Sequence, residues 1–461
     1  MPKLTFALFF GNRGFFPGEL IAGARRELAE AVVRSGHHCI CMEEDATRLG
    51  AVETRAEGRQ YAEFLQAHSG EYDGVILCLP NFGDENGAAA ALQQANVPVL
   101  VQAYPDEIGL MDFAHRRDAL CGKLAMCNVL RQCGIPYTLT KSMTVHPSDP
   151  AFQEDLRQFA GICRVVKHLR RLNIGAIGAR TTAFKTVRID EIAMQNAHVN
   201  VETMDLSLVF DRMEKVDAIQ MAERCRRLSH LATVPERKLE PMARLSVVLD
   251  DLIAEYDLQA VAIRCWDEFQ KVCGIAPCLV MSDLTERGIP ASCELDVNNA
   301  VMMYAMQQAS DRPVMLMDMN NNYGTEQNKC ILFHCSAVPR SFFSGEMTVK
   351  EHLMFRKFYG AGSGVGVVSG KVMQDDVTIG SLKTEGGALF GFAAEGRLTD
   401  DAIEEAFFGC GTVFENGQTE NILQYMCENG YRHHVAVAHG KWAGVVREAL
   451  EKYLGYKMEL L

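Results

Sequence analysis

The sequence predicts an α/β protein made of two doubly wound, Rossmann-like parallel-sheet domains followed by a β-rich, barrel-like C-terminal domain. Three observations carry that expectation. The chain has 461 residues, more than one hydrophobic core usually supports. Over its first two thirds, short apolar runs alternate with amphipathic stretches, the pattern of strands and helices that build parallel sheets. After about residue 310 the rhythm changes to short strands joined by Gly-rich or polar turns. The expected boundaries are 1–165, 166–310 and 311–461.

The first domain opens with the strand-like run Thr5 to Phe10. The stretch Lys3 to Phe10 has the single charge and short apolar run of a signal peptide. It passes straight into Gly11-Asn12-Arg13-Gly14 with no small-residue cleavage pattern, so it reads as a first core strand. Further strands are expected at Cys39 to Met42, Gly74 to Leu79 and Val97 to Gln102, with helices at Leu20 to Ser35 and Arg59 to Ala67 between them. A Pro-Ser-Asp-Pro boundary at 147–150 precedes a long helix, Phe152 to Arg171. The strand Ile174 to Gly178 begins a second alternating unit. That unit continues through the helix Ala218 to Leu228, an amphipathic stretch from Glu240 to Tyr256, and the strand Ala260 to Arg264. The last domain carries strand-like runs at Val314 to Met317, Ile331 to His334, Gly364 to Gly370, Val377 to Leu382 and Ala388 to Ala394. Gly360 to Gly364 lacks a following Lys-Ser/Thr and is read as a turn between strands rather than a phosphate loop.

Composition narrows the function. Acidic residues exceed basic ones by 13 (59 − 46), and the basic residues are scattered. This argues against a nucleic-acid partner, which needs a basic face. No apolar stretch reaches the roughly eighteen residues of a membrane span. Most of the sixteen cysteines lie in apolar runs without CxxC spacing, which points to reduced core thiols in a cytoplasmic protein.

The chemistry concentrates in the C-terminal half. Glu294 follows the apolar run Pro277 to Met281 and a turn, Asp318 ends Val314 to Met317, His334 ends Ile331 to Phe333, and His433-His434 opens Val435 to Ala438. Strand ends are where open sheets present ligands, so the four positions can converge. Two acids with one or two histidines suit a hard divalent cation such as Mn²⁺ or Mg²⁺. Each residue also has a plainer reading. Glu294 could be a charge favourable to a helix N-terminus, Asp318 with Asn320 to Asn322 an Asx turn, His334 a hydrogen-bonded core residue, and His433-His434 surface groups of an edge strand.

Two other segments bear on a sugar-like ligand. Trp266 and Gln270 follow the strand Ala260 to Arg264 and could stack on and hydrogen-bond a polyol, although Trp266 equally suits a core anchor. The loop Gly11 to Gly18 is not GxGxxG and so excludes the usual dinucleotide site. Its Arg13, beside Phe15 and Phe16, is available to an anion, a hydroxyl or a second subunit.

The order Glu294, Asp318, His334, then a late His-His before a Val/Ala strand, resembles the active-site pattern of the L-fucose isomerase and L-arabinose isomerase superfamily. The Gly-Asn-Arg-Gly-Phe-Phe-Pro-Gly loop resembles fucose-isomerase-like members. The resemblance covers essentially the whole chain. It implies a metal-dependent aldose–ketose isomerase of a monosaccharide or modified sugar, working through an enediol with Mn²⁺, or Mg²⁺ or Co²⁺ as alternatives. Glu294 and Asp318 would be metal ligands and the acid/base pair, His434 the histidine ligand, and His334 a further ligand as in arabinose isomerases. Arg13, Trp266, Gln270, Asn320 and His433 would contact substrate. The resemblance also implies a homo-oligomer with active sites at subunit interfaces. The chain is shorter than authentic L-fucose isomerases, which leaves room for another sugar, including a sulfonated hexose such as sulfoquinovose. The competing functions are a metal-assisted sugar-acid hydro-lyase, which needs a pair of carboxylate-binding arginines, and a non-catalytic sugar-binding protein.

Overall fold

The computed structural model describes residues 3–335, 337–404 and 409–461. Contacts divide the chain into two compact units, one running to Lys167 and including Lys452–Leu454, the other formed by His168–Glu451 with Gly455–Leu461.

The first unit holds a five-stranded parallel sheet of β1 (Thr5–Phe10), β2 (His38–Cys41), β3 (Gly74–Leu79), β4 (Val99–Ala103) and β5 (Thr138–Leu139), in the order β2-β1-β3-β4-β5. β3 is buried at every position, because helices cover both sheet faces. Alternate side chains of β1 sort between two cores. Phe6, Leu8 and Phe10 pack with Leu28, Leu156 and Phe159, while Ala7 and Phe9 pack with Tyr61, Leu65, Ala88 and Met126. The helices Arg55–Ala67 and Glu85–Leu92 approach so closely that a Cβ on Gly58 would stand 2.2 Å from the Gly87 carbonyl oxygen. Chain order reverses between β1 and β3. The loops that follow these strands carry the buried Asn12 and Asn81, with the Asn81 amide donating to Asn12 Oδ1.

The second unit contains two sheets and a small ribbon. Its parallel sheet is β6 (Leu172–Ile177), β7 (Val199–Met204), β8 (Ala260–Ile263) and β9 (Ala291–Cys293), in the order β7-β6-β8-β9. The ribbon pairs β12 (Thr348–Glu351) with β13 (Val365–Ser369). The larger sheet consists of β10 (Val314–Tyr323), β11 (Glu326–His334), β14 (Asp375–Glu385), β15 (Ala388–Thr399), β16 (Cys410–Glu415), β17 (His434–His439) and β18 (Lys457–Leu460). Antiparallel pairing runs β14-β17-β10-β11-β16-β15 and returns from β15 to β14, closing a ring of six strands. β18 joins β15 in parallel as an outer strand. The barrel-like expectation is met by that closure, which removes strand edges from the ring.

The helix Val297–Ser310 is buried over most of its length and contacts β8 and β9 of the parallel sheet as well as β10, β14 and β17 of the ring. Its apolar residues Val301, Met302 and Met306 suit that enclosed position, and Asp296 caps its first turn by accepting from the Asn299 N–H at 3.2 Å.

Three local expectations are corrected. Pro277 to Met281 does not form a strand but leads into the helix Cys278–Glu286, buried at all but its last residue. A short apolar run enclosed on all sides has no amphipathic period to distinguish the two forms. The apolar strand at Val314 does not stop before Asp318: β10 continues through the three asparagines to Tyr323, pairing across a bulge between Met319 and Asn321. Gly360 to Gly364 follows the short helix Leu353–Tyr359, so it joins a helix to β13 rather than two strands.

Candidate metal centre

Glu294 is placed by the end of β9. Both it and Leu295 adopt left-handed backbone with φ 63°, unusual for residues carrying a Cβ, and the turn ends on the cap of helix Val297–Ser310. His434 is the first residue of β17, and the register pairs it with Asp318 on the neighbouring β10. Asp318 also pairs with Phe333 of β11, so His334 at the end of that strand lies one step away.

These three strand positions and the β9 turn bring the acids and histidines together. Ligand-type atoms of Glu294, His334 and His434 lie within 4.8 Å of one another, and those of Asp318, His433 and His434 do so as well. The shared centre is His434 Nε2, 3.3 Å from Glu294 Oε2 and 3.4 Å from Asp318 Oδ1. His433 is more exposed, with Nε2 3.8 Å from Asp318 Oδ1. Glu294 Oε2, Asp318 Oδ1, His334 Nε2 and His434 Nε2 are all buried and have no hydrogen-bond partner among the described residues. Buried polar atoms are normally satisfied; the unsatisfied oxygens of Glu294 and Asp318 on either side of the unsatisfied His434 Nε2 fit a bound cation.

Behind His434 stands a buried polar network. Its Nδ1 is 2.8 Å from Asp296 Oδ2, and Asp296 Oδ1 is 3.2 Å from Arg432 Nη1. Asn299 Nδ2 donates to Asp296 Oδ2 at 2.7 Å and to the His434 carbonyl at 3.3 Å, while Asn299 Oδ1 accepts from Ser381 Oγ and the Leu382 N–H. Burial pushes the Asp296 carboxyl up, but Arg432, the His434 bond and the Asn299 N–H bring it down to about 2. Burial likewise opposes a charge on His434, yet its contacts with Asp296 and Glu294 and the Asp318 charge raise it to about 10. Burial also works against the Glu294 carboxylate. The His434 contact and the neighbouring histidine charges outweigh this and hold Glu294 below its usual range. A cation at this point would take the place of the His434 proton.

The remaining expected residues are more dispersed. Trp266 lies edge-on to Phe184 and Phe355, with its indole N–H buried and lacking a hydrogen-bond partner among the described residues. Gln270 is spent in part on structure, its amide donating to the carbonyls of Cys265 and Ile275. Asn320 sits at the β10 bulge with an exposed side chain. Arg13, in the first unit, stacks 4.2 Å over Phe82, donates to the Gly83 carbonyl at 2.9 Å and pairs with Glu85. Phe15 beside it is exposed.

Sequence reasoning did not single out Asp296, Asn299, Arg432 or His352. Asp296 could have been found as the acid immediately ahead of a buried apolar helix and two residues from Glu294. His352 carries no such mark. It is buried against Phe355, and burial together with the His334 charge lowers it to about 4.

Comparison with known proteins accords with this architecture. Residues 7–170 match the fucose/sulfoquinovose isomerase N-terminal domain, and residues 332–460 match the L-fucose isomerase C-terminal domain. A sulfoquinovose isomerase from Alkalicoccus urumqiensis is 26% identical over 395 residues, covering 84% of this chain and 85% of the relative. One from Priestia aryabhattai is 25% identical over 385 residues, covering 82% and 83%. Fold and relatives together define a sugar isomerase of the aldose–ketose class. The chain belongs to the fucose-isomerase-like family.

Proposed function

We propose that the protein interconverts an aldose and its ketose through an enediol, at a divalent-cation centre held by Glu294, Asp318 and His434. The observation that carries this reading is that buried carboxylate oxygens of Glu294 and Asp318, neither with a hydrogen-bond partner among the described residues, flank the same buried nitrogen, His434 Nε2, at 3.3 and 3.4 Å. Oxygen-rich ligands without thiolate suit Mn²⁺, with Mg²⁺ or Co²⁺ as substitutes. Such a cation would polarise the two substrate oxygens and stabilise the enediolate charge. The protein's own task is to move the proton. One of the two carboxylates takes it from C2 and the partner side returns it at C1, an exchange that needs an acid and a base within hydrogen-bond reach. His433, Trp266, Gln270 and Asn320 are assigned to holding the polyol, and His334, whose Nδ1 accepts from the Cys335 N–H, to donating to it from Nε2 in place of the metal-ligand role the resemblance implies.

The substrate we infer is a sulfonated hexose such as sulfoquinovose. The reading rests on relatives named sulfoquinovose isomerase that align over more than four fifths of both chains. The hydro-lyase alternative needs a pair of arginines for a carboxylate. Arg432, the arginine bonded into the network behind the cluster, is committed to Asp296 and to the carbonyls of Thr186 and Leu382. We further propose a homo-oligomer in which the Gly11 to Gly18 loop completes a neighbour's site, and a cytoplasmic setting in keeping with sixteen free cysteines.

The deciding experiment incubates the Mn²⁺-loaded protein with a panel of aldoses and sulfonated hexoses and follows C1 and C2 by NMR. Conversion of the sulfonated hexose well above that of L-fucose and L-arabinose is expected. Equal or greater turnover of an unsulfonated sugar would overturn the substrate assignment, and no isomerisation of any sugar would overturn the activity.

A further inference from the structure

We infer that Asp296 and Arg432 form a buried positioning pair that fixes the ring of His434 with its proton on Nδ1, so that Nε2 faces the cation as a lone pair. The inference rests on the proposed metal centre and adds to it the residues that make one histidine a ligand.

An imidazole can ligate only through a nitrogen that carries no proton, and the partner of the other nitrogen decides which one that is. For His434 this partner is a carboxylate, Asp296 Oδ2 at 2.8 Å, which can only accept. The proton therefore sits on Nδ1. His334 is held in the opposite sense. Its Nδ1 accepts from the Cys335 N–H at 2.9 Å, so a neutral His334 carries its proton on Nε2 and faces the cluster as a donor. The two buried histidines thus present different faces to the same point.

Asp296 can serve only while ionised, and it is wholly buried. Arg432, itself 5% exposed, supplies the compensating charge at 3.2 Å and is anchored by the carbonyls of Thr186 at 3.2 Å and Leu382 at 2.6 Å. Without it Asp296 would be left a buried charge lacking its ion-pair partner, and the geometry of His434 would loosen. Asn299 completes the fixation by bonding both Asp296 Oδ2 and the His434 carbonyl. None of these three residues has an atom in the ligand cluster, so they act on the cation only through His434.

The test measures Mn²⁺ affinity from the electron-paramagnetic signal of free Mn²⁺, together with histidine ¹⁵N spectra of the Mg²⁺-loaded protein, with His434 assigned from a His434→Gln variant. In wild type, His434 is expected to show a protonated Nδ1 and an unprotonated Nε2. Asp296→Asn is expected to weaken Mn²⁺ binding about 10- to 100-fold and to shift the His434 ¹⁵N resonances, with the circular dichroism spectrum unchanged. Arg432→Lys, which keeps the charge, is expected to retain more affinity than Arg432→Gln. A wild-type His434 protonated on Nε2 would overturn the inference without any variant, even if Asp296→Asn did not fold. So would a folded Asp296→Asn protein with wild-type Mn²⁺ affinity. If wild type binds neither Mn²⁺ nor Mg²⁺, the metal centre itself is refuted, a separate result.

Discussion

Glu294 and Asp318 reach the same nitrogen of His434 at nearly equal distances, 3.3 and 3.4 Å. One acid comes from the turn that ends a parallel sheet and the other from the middle of a ring strand. The common point therefore exists only where helix Val297–Ser310 joins the two sheets. Its first chemical consequence concerns metal. Chelation should abolish turnover, and Mn²⁺ should restore it better than Zn²⁺, because the proposed ligands are carboxylates and imidazole rather than thiolates. Full activity in protein shown by elemental analysis to be metal-free would refute this.

Glu294→Gln and Asp318→Asn each keep the side-chain shape and remove the proton acceptor. Each should lower kcat by at least about a hundredfold, with an unchanged circular dichroism spectrum. Near-normal turnover in both folded, metal-loaded variants would remove them from the acid/base role.

In D₂O the aldose product should carry solvent deuterium at C2, because a carboxylate that holds the migrating proton can exchange it. Product that stays protiated through many turnovers would instead indicate direct hydride shift between carbons.

If Arg13 serves a neighbouring subunit, Arg13→Ala and Asp318→Asn proteins that are separately inactive should regain activity when dissociated and reassociated together. Sites that combine an intact loop with an intact acid account for the gain. A monomeric protein by sedimentation, or mixed oligomers with no recovery, would count against a shared site. Within its own unit Arg13 is already engaged by Phe82, Gly83 and Glu85, so Glu85→Gln should free it and alter activity only if the loop touches substrate.

Lys123 gives a prediction about stability. It is fully buried, donates to Thr140 Oγ1 at 2.7 Å, and burial depresses its pKa to about 8. Because the unfolded lysine holds its proton to higher pH, this position costs stability in full below about pH 8, and the cost is relieved as pH rises toward about 10.5. Lys123→Met should therefore raise the thermal midpoint at pH 7, by the equivalent of at most about 3 kcal/mol less about 1 kcal/mol for the lost hydrogen bond. The gain should shrink at pH 9.5. A variant that is less stable than wild type at both pH values would contradict the assignment.

The sequence was most readable where a pattern repeats. β3 spans Gly74–Leu79 as expected, because a fully covered parallel strand is a continuous apolar run bounded by breakers. Asp318 and the histidines of the cluster lie beside such runs, whereas the run that marked Glu294 proved to be a helix. Their support was not legible. Asp296 looks locally like any helix cap, and Arg432 like a surface residue before a strand, until the packing of helix Val297–Ser310 on β17 brings Asp296 against both His434 Nδ1 and Arg432. The helix Cys278–Glu286 was missed for a related reason: with nearly every residue buried, it shows no polar face from which to count turns.

The return of Lys452–Leu454 to the first unit bears on how the protein is made. The Tyr453 hydroxyl lies 3.0 Å from Thr138 Oγ1 and 3.4 Å from the Val99 nitrogen and carbonyl oxygen, at the edge formed by β4 and β5. On the ribosome the five strands of this unit emerge well before the residue that closes their edge, which follows Thr138 by 315 positions. The edge of this unit is therefore closed only after the whole intervening chain has been made, and until then it stands open to wrong partners.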